Sequence, residues 1–184
     1  MLEQAASDRS ADLIEVVVEI PSGSRNKYEY DHLRHRFVLD RVLYSSVHYP
    51  CDYGFIEGSL AEDGDPLDVL VVISEPTFPG CVVRARPVGV LDMADEKGHD
   101  HKILAVAHDD PRWEQTRSLE DLSPHRMREI ENFFQTYKTL EKRPTDVRGW
   151  LGTGDAWKII EEAVRAGLTQ AASGDPPPTP GIWR

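Results

Sequence analysis

Short apolar or alternating runs fill the first two thirds of the chain, each bounded by turn residues, and helical periodicity enters only afterwards. The β-like runs are LIEVVVEIP (13–21), then an SGSRN loop, KYEYD (27–31), RFVLDRVLY (36–44), YPCDYGFIEG (49–58), LDVLVVI (67–73), CVVRARPVGVLDM (81–93) and HKILAVA (101–107). Strands this closely spaced leave no room for helical crossovers, so the pattern predicts an antiparallel barrel or sandwich. In SPHRMREIENFFQTYKTLE (123–141), Ser123 is the expected N-cap and Pro124 the first helical residue. Met127, Ile130, Phe133, Phe134, Tyr137 and Leu140 share its apolar face. The segment KRPTDVRGW (142–150) reads as a loop. A second helix is predicted over GDAWKIIEEAVRAG (154–167), with Trp157, Ile160 and Val164 on one stripe and Gly167 as its stop. These elements divide the chain into an extension (1–12), a single domain (13–167) and a Pro-rich tail (168–184) expected to be mobile.

A length of 184 residues suits one domain with its own core. Cys51 and Cys81 lack the spacing of a zinc or disulfide framework, which predicts a reduced compartment. The N-terminus has no basic segment leading into an apolar one, and no run approaches the roughly 18 apolar residues of a membrane span. A soluble, cytoplasmic protein without membrane or nucleic-acid partners is expected. A net charge of -11 opposes binding to a polyphosphate backbone, which depends on Lys and Arg. An anionic small molecule would need a local cation to reverse the field.

Such a site is suggested by EDGDPLDVL (62–70), where Asp63, Asp65 and Asp68 lead straight into an apolar strand. A second acidic turn, MADEKGHDHKILAV (93–106), places Asp95, Glu96 and Asp100 before another core strand. A calcium loop fails at both places: counted from Asp63 the fifth and sixth positions are Leu67 and Asp68, and from Asp95 the third is Lys97. Carboxylates without Cys or paired His favour a hard cation, Mg²⁺ or Mn²⁺, over Zn²⁺. Lys27, Arg41, Lys102 and Lys138 are interleaved with the acids, and Tyr53 and Tyr137 are candidate neutral donors. Alternation places Lys27 and Glu29 on one face of their strand and Tyr28 and Tyr30 on the other. Metal-holding acids beside cationic and phenolic donors meet the needs of phosphoryl transfer. His48, His99 and His101 flank this region and read as polar surface; His32 and His35 receive no role.

DGDPLDV (63–69) resembles the signature Asp-x-Asp-Pro-x-Asp of the soluble family I inorganic pyrophosphatases. VEIPSGSRNKYEYD, LDRVLY, YPCDYGFI, RPVGVLDMADEKGHDHKILAV and FFQTYKTLE follow in that family's order. The resemblance implies a mainly β fold, a five-stranded antiparallel OB-like barrel with flanking helices, that hydrolyses pyrophosphate with several Mg²⁺ ions. By position, Asp63, Asp68 and Asp100 would hold a first metal, with Asp68 shared by a second. Asp95 and Asp100 would hold a further one, and Glu19 and Glu29 would complete the acidic cup. Lys27, Arg41, Tyr53, Lys102, Tyr137 and Lys138 would contact phosphate. Asp65 is the implied base, with Asp100 the other candidate proton acceptor. Bacterial members form hexamers, so a homohexamer is implied. Thr139 and Arg148 depart from the family's usual Asp and Lys. A single-strand-binding OB module and a hydrolase of another phosphoanhydride are the rival readings. The acidic balance opposes the first, and the absence of a P-loop offers the second no support.

Overall fold

The computed structural model describes residues 12–95 and 98–173, with the backbone alone at Asp95. Nine strands and two helices follow in order. They are β1 (Ile14–Ile20), β2 (Asn26–Asp31), β3 (Arg36–Val42), β4 (Asp52–Phe55), β5 (Asp68–Val72), β6 (Val82–Asp95), β7 (Gly98–His99), β8 (Lys102–Ala107), α1 (Pro124–Thr136), β9 (Asp146–Leu151) and α2 (Thr153–Ser173). Strands β1, β4, β5, β8 and β6 pair in that order, and β6 pairs back with β1, closing a ring of five. Strictly alternating directions cannot close around an odd number of strands. One pair must be parallel, and it is β5 with β8, in register from Val69–Ile103 to Val72–Val106. The other ring pairs are antiparallel, as the sequence predicts.

Strands β5 and β8 read as continuous apolar runs because both of their faces are covered. Leu70, Val72, Leu104 and Val106 pack with Ile130, Phe133 and Phe134 of α1. Val69, Val71, Ile103 and Ala105 pack with Ala156, Ile160 and Ala163 of α2. The long β6 keeps both layers supplied by slipping register between Pro87 and Gly89, which moves Val88 into the α1 layer and Val90 into the α2 layer. Hairpin β2–β3 forms a separate two-stranded sheet.

Ser123 caps α1 through a 3.3 Å bond from His125 N–H to its hydroxyl, with Pro124 at the start as predicted. The helix ends at Thr136; Leu140 lies beyond it in a 3-10 turn and is 62% exposed, so it does not extend the apolar face. Two further sequence expectations fail. KRPTDVRGW contains a strand, β9, which pairs with β6 and is tied to α1 by a 2.5 Å bond from Trp150 Nε1 to Glu131. Its half-exposed, weakly apolar sequence DVRGWL conceals the strand from pattern. Helix α2 does not stop at Gly167 but continues to Ser173, so residues 168–173 are helix and the remaining tail, 174–184, lies outside the described residues. Gly167 marks a close approach: a Cβ there would stand 2.0 Å from the Gly58 carbonyl oxygen. Among the described residues no helix is long and apolar enough to cross a membrane.

Candidate active site

The first acidic stretch is a bend fastened at both ends. Gly64 adopts φ 89°, a left-handed conformation that favours glycine. The Asp65 N–H donates to Asp63 Oδ1 at 3.1 Å, an Asx turn, and the Asp65 carbonyl accepts from Ala61 N–H at 2.8 Å. Leu67, buried, follows with its N–H on the Ser59 hydroxyl at 2.8 Å. Asp68 then begins β5 opposite Phe55 of β4. The apolar strand behind the acids therefore fixes where their carboxylates stand.

From β8, Lys102 reaches between Asp68 and Asp100 and bridges both, and the residue is only 3% exposed. Asp100 and Lys102 are two apart and lie on the same side of the extended chain. Burial works against this ammonium, but the two carboxylates outweigh it and hold the Lys102 pKa well above its usual value. The ammonium also lies 5.7 Å from the Tyr53 ring centroid. Burial raises the Tyr53 pKa well above the ordinary phenol value, and the charges of Asp68 and Asp100 raise it further, so its hydroxyl stays a proton donor. Tyr137, at the end of α1, is likewise raised by burial and feels both Lys102 and Asp100. Lys138 beside it lies 5.4 Å from the Tyr137 ring centroid.

Glu19 of β1 and Lys27 and Glu29 of β2 join from the other side. Glu19 accepts the Tyr30 N–H at 2.6 Å. Burial pushes its pKa up to about 8, and the charges of Asp68 and Glu29 add to the rise while Lys27 opposes it. Lys27 pairs with Glu29, with Asp40 at 3.7 Å. Asp63 is also raised, first by burial and then by Asp65, Asp68 and Asp100. Arg41 is held by Asp40 and, at 3.1 Å, by Glu141.

The structure thus gathers Glu19, Lys27, Glu29, Asp63, Asp65, Asp68, Asp100, Lys102, Tyr53 and Tyr137 into one electrostatic neighbourhood. The side chain of Asp95 lies outside the described residues. With Glu19 and Asp63 both held above the usual carboxylate range by burial and by neighbouring acids, the donor set is short of positive charge. Its oxygens suit a hard divalent ion such as Mg²⁺.

Pattern alone missed four contributors. Tyr49, 2% exposed, lies 5.5 Å from Tyr53 ring to ring and interacts electrostatically with Tyr137, Arg41, Lys102 and Asp68. Asp40 and Glu141 orient the cations, and Asp92 is brought beside His99 and His101. The expectation of no paired His fails at this last point. The spacing His99-x-His101 was its visible signal, because alternate residues of an extended segment share a side. His48 is exposed, and His32 packs against Tyr30 and Phe55.

A family profile described as inorganic pyrophosphatase matches residues 16–167. The chain belongs to the inorganic pyrophosphatase family. It is 51% identical over 164 residues to an inorganic pyrophosphatase of Synechocystis, covering 89% of this chain and 97% of that protein. A Methanosarcina mazei inorganic pyrophosphatase is 53% identical over 148 residues, 80% of this chain and 88% of the other. The crystal structure of inorganic pyrophosphatase from Thermus thermophilus superposes with TM-score 0.84 at 41% identity, covering 88% of this chain and 94% of that one. An inorganic pyrophosphatase structure from Helicobacter pylori gives TM-score 0.83 at 41% identity, covering 86% and 95%. The mainly β, OB-like architecture with two helices is that of these family members.

Proposed function

We propose that the chain hydrolyses inorganic pyrophosphate to two phosphates with Mg²⁺, by direct attack of water on one phosphorus. The observation that carries this reading is the buried Lys102 held between Asp68 and Asp100, with Asp63, Tyr53 and Tyr137 in the same electrostatic field. It joins anion-binding donors to a carboxylate set that recruits cations. Asp63, Asp68 and Asp100 would hold the first ion and Asp68 a second, with Asp95, Glu19 and Glu29 serving further ions. Bound Mg²⁺ supplies charge neutralisation of phosphate oxygens and makes hydroxide accessible near neutral pH.

The chain's own side chains then do the rest. Asp65 takes the proton of the attacking water, with Asp100 the other candidate acceptor. As the new P–O bond forms, the bond from that phosphorus to the bridging oxygen breaks, and its electron pair leaves on the second phosphate. Lys27, Arg41, Lys102 and Lys138 neutralise the growing charge, while Tyr53 and Tyr137 donate hydrogen bonds to it. Their raised pKa values keep both phenols protonated in this role.

Asp65→Asn removes the acceptor but preserves the bend, so turnover should fall by about 10²–10⁴-fold with Mg²⁺ affinity retained. Full activity in that variant would reject Asp65 as the base. A direct comparison of pyrophosphate with nucleoside triphosphates under Mg²⁺ tests the substrate: the reading predicts strong preference for pyrophosphate, and preference for a nucleotide would overturn it.

We further propose a cytoplasmic homohexamer. Leu39 (45%), Val42 (47%) and Tyr44 (62%) stand exposed on and just beyond hairpin β2–β3, an apolar patch suited to burial between copies. Light scattering that gives a monomer mass at working concentration would refute the assembly.

A further inference from the structure

We infer that Asp92, His99 and His101 form a second binding site, beside the acid cup and with its own ligands, for a borderline transition ion of the Zn²⁺ type. One ligand atom from each side chain lies within 4.8 Å of the other two. Backbone register explains the convergence. Leu91 of β6 pairs with Lys102 of β8, which sets Asp92 beside His101, and β7 folds back so that His99 opposes Ala94. In the extended segment the histidines alternate with Asp100 and Lys102. Ile103 continues the histidine parity into the layer beneath α2, whereas Lys102 and Asp100 point to the acid cup. The two donor sets therefore use alternate side chains of one strand and different ligands. Both histidines line a cleft of about 240 Å³ that α2 walls with Ile159, Glu162 and Ala163 and that also reaches Asp63, Asp68 and Asp100 of the acid cup.

A second observation points to a ligand. Asp92 Oδ1 is buried and has no hydrogen-bond partner among the described residues, although His101 Nε2 is only 3.4 Å away. A buried carboxylate oxygen left without a donor is costly, and a cation would complete it. The histidine rings stack at 5.4 Å with an interplanar angle of 28°. Across the ladder from Asp92 stands Gly149, where the register slips. Two imidazoles and one carboxylate, with the cleft leaving room for water, match a three-ligand zinc site rather than a magnesium one. Ligand atoms about 2.1 Å from a tetrahedral ion are about 3.4 Å apart, a closure that the exposed His99 supplies by rotating. Arg148, 3.4 Å from His99 Nδ1, opposes the ion, but it is exposed and already engaged by Asp146 at 3.0 Å. Because Asp100 lies between the two histidines, filling this site would stiffen the segment that carries it.

The test is Co²⁺ titration of the full chain in saturating Mg²⁺, followed by visible ligand-field absorption and calorimetry. One Co²⁺ per chain should bind without being displaced by Mg²⁺. His99→Ala and Asp92→Asn should each weaken it by more than about tenfold, a loss that even outer partners of metal ligands produce. Arg148→Gln, which removes the opposing charge, should tighten it. Thermal unfolding in chelator verifies that the variants are folded. Co²⁺ that competes with Mg²⁺ for every site, or binds the folded variants as it binds the parent, would overturn the inference. It does not rest on the proposed activity, since an inactive chain could still show the site.

Discussion

Replacing Glu19 with Gln should stabilise the metal-free protein, and do so only above about pH 4.5. Glu19 has its pKa lifted from 4.5 to about 8 by burial, with Asp68 and Glu29 adding to the rise. Below about pH 4.5 it is protonated in folded and unfolded chains alike, so it adds no pH dependence. Between 4.5 and 8 the folded protein keeps a proton that the unfolded chain has lost. Stability therefore falls as pH rises through this window, by up to about 1.4 kcal/mol per unit. Over the full shift the penalty is roughly 3–5 kcal/mol. Gln keeps the acceptor for the Tyr30 N–H but never ionises. Denaturant unfolding in EDTA at a series of pH values should show Glu19→Gln and parent equal near pH 4.5. The variant should then gain steadily up to pH 8. Saturating Mg²⁺ should abolish the gain, because bound cations favour the carboxylate. A difference independent of pH, or a variant less stable at pH 8 in EDTA, would refute the argument that the cup lacks positive charge until it binds metal.

Two structural substitutions follow from close contacts. Gly167→Ala should gain about 1 kcal/mol of helix propensity yet lose at least about 2 kcal/mol overall, because its Cβ would meet the Gly58 carbonyl at 2.0 Å; an unchanged or higher Tm would contradict this. Asp52→Ala should cost about 3 kcal/mol or more in chemical denaturation, since the fully buried Asp52 accepts from Ser22 N–H at 2.7 Å, Thr77 N–H at 2.9 Å and the Thr77 hydroxyl at 2.6 Å; a loss under 1 kcal/mol would show those donors find other partners.

The apolar strands were legible in the sequence because two-sided burial leaves continuous runs, as in β5 and β8. Strand β9 was not, because DVRGWL is half exposed and owes its strand form to pairing with β6. Gly167 misled for a related reason: glycine can end a helix or permit a close contact, and only the position of Gly58 decides between them. The acids of the site stood out by spacing, while Asp40, Tyr49 and Glu141 join through contacts between distant segments, such as the Arg41–Glu141 pair. The Asp92, His99 and His101 group combines a visible H-x-H with a carboxylate that only the β6–β8 register brings near.

Phosphate release from pyrophosphate, measured with Mg²⁺ and again with excess EDTA, tests the central claim most directly. The acid cup and its cations predict rapid release with Mg²⁺ and essentially none in chelator, restored when Mg²⁺ is returned. Release that persists in EDTA, or fails with Mg²⁺, would contradict it.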